Sequence, residues 1–209
     1  MFKVILVLAP HTDDAEFGCG GTMARLLAEG AEVHYAAFSS AEKSLPTGIA
    51  PDILVREMTA AMISLGIGPE RLHIFDYGVR DFPEHRQAIL DDMLKLKAII
   101  DPDLVLLPSV NDTHQDHQTV AHEGFRAFKD RTILGYEIPW NNRTFNTESF
   151  VLLDPVHVDA KVKALQCYRS QLDRSYANEE SIRSLARTRG TQIGARYAEA
   201  FEVVRWVIR

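Results

Sequence analysis

Short runs of aliphatic and β-branched residues recur along the first two thirds of the chain, separated by stretches whose apolar positions fall at helical spacing. The runs "KVILVLA" (3–9), "EVHYAAF" (32–38), "RLHIFD" (71–76), "DLVLLP" (103–108) and "TILGYEI" (132–138) read as strands. Between them, Leu54, Met58, Ala61 and Leu65 share one helical face, as do Ile89, Met93, Leu96 and Ile100. Pro51 suits a first helical turn, and "LGIGP" from Leu65 suits a helix stop. Strands that are apolar nearly throughout belong to sheets covered by helices on both faces. The alternation therefore predicts a single-domain α/β protein, Rossmann-like, with an open, mostly parallel sheet.

The last third is less regular. Residues 150–154 predict a strand, 158–172 a helix through Val158, Val162, Leu165 and Leu172, and 200–208 a late strand. No Gly/Ser linker, repeat or low-complexity stretch divides residues 1–209, which read as one domain.

Composition narrows the partners. The chain has 209 residues, 46% of them hydrophobic, and a formal net charge of −6, which suits one sizeable core. Its acidity is scattered and no Lys/Arg-rich run occurs, so a nucleic-acid partner is not expected. The opening "MFKVILVLAP" is too short to span a membrane and lacks a signal-peptide cleavage site, which predicts a cytoplasmic protein with no membrane segment. Cys19 and Cys167 form no CxxC pair and read as small buried side chains rather than a disulfide framework.

Two polar clusters interrupt this pattern. "LAPHTDDAEFGCGGT" (8–22) follows the first strand and "NDTHQDHQTVAHEGF" (111–125) the fourth. In open α/β sheets, ligands bind beyond the carboxyl ends of the strands, so the two clusters are predicted to share one crevice. Imidazole and carboxylate are ordinary zinc ligands, and three of them with one open position make a catalytic site. A set such as His11, Asp14 and His117 meets that description, and adjacent aspartates let one bind metal while its neighbour acts as base.

The motifs "PHTDDAE" and "HQDH", in this order and after these strands, resemble those of the LmbE-like or PIG-L deacetylases, zinc-dependent enzymes that remove acetyl groups from N-acetylglucosaminyl substrates. The resemblance implies that His11, Asp14 and His117 bind Zn2+ and that Asp13 is the general base, later passing its proton to the leaving amine. It implies that His114, held by Asp116, stabilises the oxyanion, and that Arg56 and Asp81 contact substrate. It further implies an N-acetylated amino-sugar substrate and a homo-oligomer, a trimer or hexamer. Fe2+ or another divalent ion also suits the ligand types. "REMTAAMISLGI" (56–67), "CYRSQ" (167–171) and "GTQIGARYAEAF" (190–201) extend the likeness, whereas Thr12 replaces the family's usual proline and 139–150 carries no signature.

Plainer readings stand beside these. Glu16 reads as a helix cap or a support behind the ligands, and Arg56 equally well as a solvated helix residue. His34, His73, His85, His122 and His157 are left out of the metal set. "GCGGT" lacks the last glycine of G-x-G-x-x-G, with Met23 in its place, so its glycines read as close helix-to-sheet packing. Tyr136 and Trp140 could stack on a sugar, with the core as the default placement. Two alternatives to the deacetylase are a metal-stabilised sugar-binding module without turnover and an H-x-D…H Fe(II) oxygenase, a class usually built on an all-β barrel. Specificity is expected in the loops at 40–51, 77–85 and 139–149.

Overall fold

A computed structural model describes residues 2–45, 48–171, 174 and 176–208. Its strands are β1 (Val4–Ala9), β2 (Glu32–Ala37), β3 (Leu72–Ile74), β4 (Leu104–Pro108), β5 (Thr132–Tyr136), β6 (Ser149–Leu153) and β7 (Tyr197–Arg205). Its helices are α1 (Asp14–Ala28), α2 (Ile53–Leu65), α3 (Arg86–Ile100), α4 (Gln115–Ala127), α5 (Pro155–Leu165) and α6 (Glu179–Gln192).

The strands form one sheet in the order β3-β2-β1-β4-β5-β7-β6. From β3 to β5 all neighbours are parallel, and β7 runs antiparallel to both β5 and β6. The apolar runs are explained by burial on both faces. Ile5, Val7 and Ala9 of β1 pack with α1 and α2, while Leu6 and Leu8 pack on the other face with α3 and α4. The chain winds outward from β1 to β3, then returns to place β4 on the other side of β1. The strand order thus reverses between β1 and β4, the switch point at which doubly wound sheets open a crevice. This open sheet is not the all-β barrel of the oxygenase alternative.

Differences from the sequence expectation lie in the last third. The helix expected at 158–172 begins earlier, at Pro155, where Asp154 and His157 form a reciprocal capping box, and it ends at Leu165 before a short 3-10 turn at Arg169–Gln171. Leu172 lies outside the described residues. Helix α6 was not anticipated, because only Ile182, Ala186 and Gly190 of its fourteen residues are buried, leaving almost no apolar stripe to detect. The late strand sits at Tyr197–Arg205 rather than 200–208, since residues 197–201 pair with all of β6. Among the described residues no helix is long and apolar enough to cross a membrane.

Candidate functional site

The first cluster begins where β1 ends. Asp13 occupies the N-cap position of α1, yet its side chain makes no capping bond. The turn is held from behind: the hydroxyls of Tyr35 and Tyr168 each lie within hydrogen-bonding distance of both the Thr12 carbonyl and the Glu16 carboxyl group, Tyr35 at 3.0 and 2.6 Å. Glu16 therefore supports the turn and does not cap the helix. Its burial pushes the carboxyl up to about 8, against the pull of the two tyrosine hydrogen bonds.

Three donor atoms converge beyond that turn. Asp14 Oδ2 lies 3.0 Å from His11 Nδ1 and 3.2 Å from His117 Nε2, and the two nitrogens are 3.4 Å apart. The far nitrogens of both rings face buried carboxylates: His11 Nε2 is 2.9 Å from Asp116 Oδ2, and His117 Nδ1 is 2.7 Å from Asp112 Oδ2. A carboxylate behind each imidazole keeps the proton on the far nitrogen and turns the lone pair toward the common centre. Two imidazoles and a carboxylate so arranged fit a borderline-soft divalent cation. His114 completes a cluster of three imidazoles whose ligand atoms lie within 4.8 Å of one another.

The local charges follow from this packing. Burial disfavours the charged form of His11 and His117, but Asp14 and the carboxylate hydrogen bonds outweigh it, raising them to about 9 and about 10. Burial also works against the Asp14 anion, yet the two histidines hold its carboxyl well below the usual range. Asp13 moves the other way, to about 6, through burial and the neighbouring Asp14 charge.

The second cluster corrects one expectation. Asp116 does not hold His114; its Oδ2 is 4.0 Å from His114 Nδ1 and is occupied by His11, with the Arg80 amide donating at 2.7 Å. The reason lies in how α4 starts. His114 is the N-cap, and its Nδ1 accepts from the Asp116 backbone N–H at 3.2 Å, a turn that carries the Asp116 carboxylate away toward His11. A neutral His114 consequently bears its hydrogen on Nε2. Burial and the neighbouring His117 and His11 lower its pKa, so the neutral donor form is favoured.

Asp112 was missed by the sequence reading, although it stands in the same "NDTHQDH" segment. One of its oxygens accepts from the His114 amide at 2.8 Å while the other holds His117. Asp112→Asn is expected to weaken metal binding about 10- to 100-fold. Competition against a chromophoric chelator measures this; an affinity equal to the parent's would refute the supporting role.

A cavity of about 170 Å³ opens over these atoms, with His11, Asp13, Asp14, His114 and His117 in its wall. The opposite chemistry comes from aromatic rings. Trp140 stacks on Tyr176 at 3.9 Å and 16°, and Phe17 meets both edge-on. Trp140 is thus a cavity residue, 43% exposed, whereas Tyr136 is core, its hydroxyl donating to the Leu8 carbonyl at 3.0 Å. Neither residue expected to contact substrate lines the cavity. Helix α2 turns Leu54 inward, and Arg56, two positions along and on another face, is exposed and paired with Asp52 at 2.6 Å. Asp81 is paired with Lys43 at the surface. The guanidinium in the cavity wall, among the described residues, is that of Arg174.

The glycines of "GCGGT" have a packing role, as expected. Cys19, at φ −142° and ψ 24°, breaks α1 into two segments. The freed Phe17 carbonyl accepts from Lys161 Nζ at 2.6 Å, and the amides of Gly21 and Thr22 donate to Glu199 at 3.0 and 2.6 Å. Lys161 and Glu199 themselves pair at 2.6 Å, both buried. A Cβ at Gly18 would sit 2.2 Å from the Tyr136 ring, and one at Gly21 2.5 Å from Leu153.

A doubly wound sheet with a His-Asp-His donor set at its switch point defines a Rossmann-like protein with a divalent-metal type of centre. The chain belongs to the PIG-L family: the family model described as GlcNAc-PI de-N-acetylase matches residues 6–128. A diacetylchitobiose deacetylase from Thermococcus kodakarensis is 25% identical over 97% of this chain and 83% of its own length. The solved structure of the conserved protein TT1542 from Thermus thermophilus superposes with a TM-score of 0.80 at 26% identity, covering 100% of this chain and 97% of that one. A 4-carboxy-2-hydroxymuconate hydratase from Pseudomonas putida has a TM-score of 0.81 at 21% identity, covering 99% and 98%. The last is a likeness of fold alone, and it shows that this scaffold carries more than one reaction.

Proposed function

We propose that this protein is a metal-dependent amide hydrolase that removes the N-acetyl group from a GlcNAc-containing small molecule or glycoconjugate, with zinc as its ion. The observation that carries the reading is the convergence of His11 Nδ1, Asp14 Oδ2 and His117 Nε2 beside an uncapped Asp13 in one cavity. Family membership and the deacetylases among its relatives support the choice of reaction.

When bound, the ion supplies a Lewis acid for the amide carbonyl and an acidified water. His11, Asp14 and His117 are the residues that would hold it. Asp13 takes the proton from the attacking water and delivers it to the departing amine. The Nε2–H of His114 donates to the oxygen on which negative charge develops, a preorganised contact that strengthens as the tetrahedral species forms. Asp116 and Asp112 keep the two histidine rings in the required tautomer. Trp140, stacked and partly exposed, offers an apolar face to a sugar ring.

Because the fold also carries a hydratase, the test counts released acetate rather than loss of substrate. Metal-stripped protein is expected to release none from a panel of N-acetylglucosaminyl compounds, and reloading with Zn2+ to restore it. Tight sugar binding without acetate release in zinc-replete protein would favour the non-catalytic binding module and overturn the proposal.

A further inference from the structure

A second pair of imidazoles stands apart from the catalytic cavity, on the adjacent parallel strands β2 and β3. His34 Nδ1 and His73 Nε2 face each other at 3.2 Å, with the rings 5.4 Å apart and 25° from parallel. On its other side, His34 Nε2 lies 2.7 Å from Glu32 Oε1.

We propose that His34 and His73 form a second, peripheral site for a borderline divalent transition metal, with Glu32 orienting the His34 ring. Two imidazole nitrogens at ~2.0–2.1 Å from a common ion, at a near-tetrahedral angle, lie roughly 3.2–3.4 Å apart. The observed 3.2 Å falls in that range and compares with the 3.4 Å between His11 Nδ1 and His117 Nε2 in the catalytic set. Glu32 keeps the His34 proton on Nε2 and so directs the Nδ1 lone pair toward His73, the same arrangement that orients the catalytic imidazoles. His73 Nδ1 has no protein partner among the described residues, so that ring can keep its proton there and offer Nε2. Without the ion, His73 Nε2–H donates to His34 Nδ1; on loading, that proton passes through solvent to His73 Nδ1 and the ion takes its place between the rings. The His34 side chain is 13% exposed and His73 is partly exposed, which admits the ion and the waters that complete its coordination.

Two protein ligands hold an ion less tightly than three, and the site serves as a staple rather than a catalytic centre. It ties the three-residue edge strand β3 to β2. Beyond β3, the amides of Arg80 and Phe82 donate to Asp116, the carboxylate behind His11.

The test loads metal-free protein with Zn2+ by equilibrium dialysis, counts bound metal by elemental analysis and follows the imidazole nitrogens by NMR. The parent is expected to bind about two ions per chain, His73→Ala and His34→Gln about one each, with acetate release unchanged in both. His11→Ala is expected to lose acetate release and still bind about one ion that shifts the His34 and His73 resonances. Equal stoichiometry in parent and His73→Ala, or His34 and His73 resonances that do not move with Zn2+, would overturn the second site without touching the proposed hydrolase activity.

Discussion

Asp13→Asn protein is expected to fold and bind Zn2+ at the catalytic site as the parent does, yet release acetate about 10²- to 10⁴-fold more slowly. The effect should fall on kcat, with KM little changed. Asp13 lies in the cavity wall beside the donor atoms, and its side chain does not cap α1, so no helix cap is lost in the exchange. What disappears is the capacity to accept a proton. Burial and the Asp14 charge place that carboxyl at about 6, near the working pH of a general base, whereas an amide has no such equilibrium. Acetate release at the parental rate by metal-loaded Asp13→Asn would remove Asp13 from the mechanism and leave the donor set without its base.

Glu199→Ala is expected to cost about 3–5 kcal/mol of folding stability, read as a lower urea midpoint. The carboxylate and its partner Lys161 are 6% and 5% exposed at the side chain, so truncation strands a buried ammonium. It also leaves the Gly21 and Thr22 amides without an acceptor in the interior. Glu199→Gln retains an acceptor for those amides while losing the charge, and a smaller loss is expected. If Glu199→Ala unfolds within about 0.5 kcal/mol of the parent, as an ordinary surface substitution does, the buried pair is not holding the break in α1.

How far the sequence disclosed this molecule depended on the physics of each part. Strands buried on two faces and helices with a full apolar stripe left period signals, so β1 to β5, α2 and α3 were readable within a few residues. Helix α6 contacts the body through Ile182, Ala186 and Gly190, too narrow a stripe to register. In the site, the crevice and its converging clusters followed from strand order and motif. Side-chain direction did not: Arg56 and Leu54 share a helix, and only the packing of α2 shows that Leu54 faces the cavity. Likewise "HQDH" does not reveal that the His114 ring caps its own helix and releases Asp116 to His11. Asp112 escaped notice because its role depends on a turn in which one carboxylate serves both a backbone amide and a ring.

In the proposed enzyme, the carboxylates behind His11 and His117 would also make the centre an ion exchanger. Asp14 and the carboxylate hydrogen bonds, outweighing burial, raise both imidazoles above their ordinary value, which favours their protonated forms while no ion is bound. A dication entering the site displaces those protons, two positive charges for two, so loading leaves the local charge nearly unchanged. Acidification therefore favours the protons, and the apparent affinity for the ion should fall by about a hundredfold for each pH unit below neutrality.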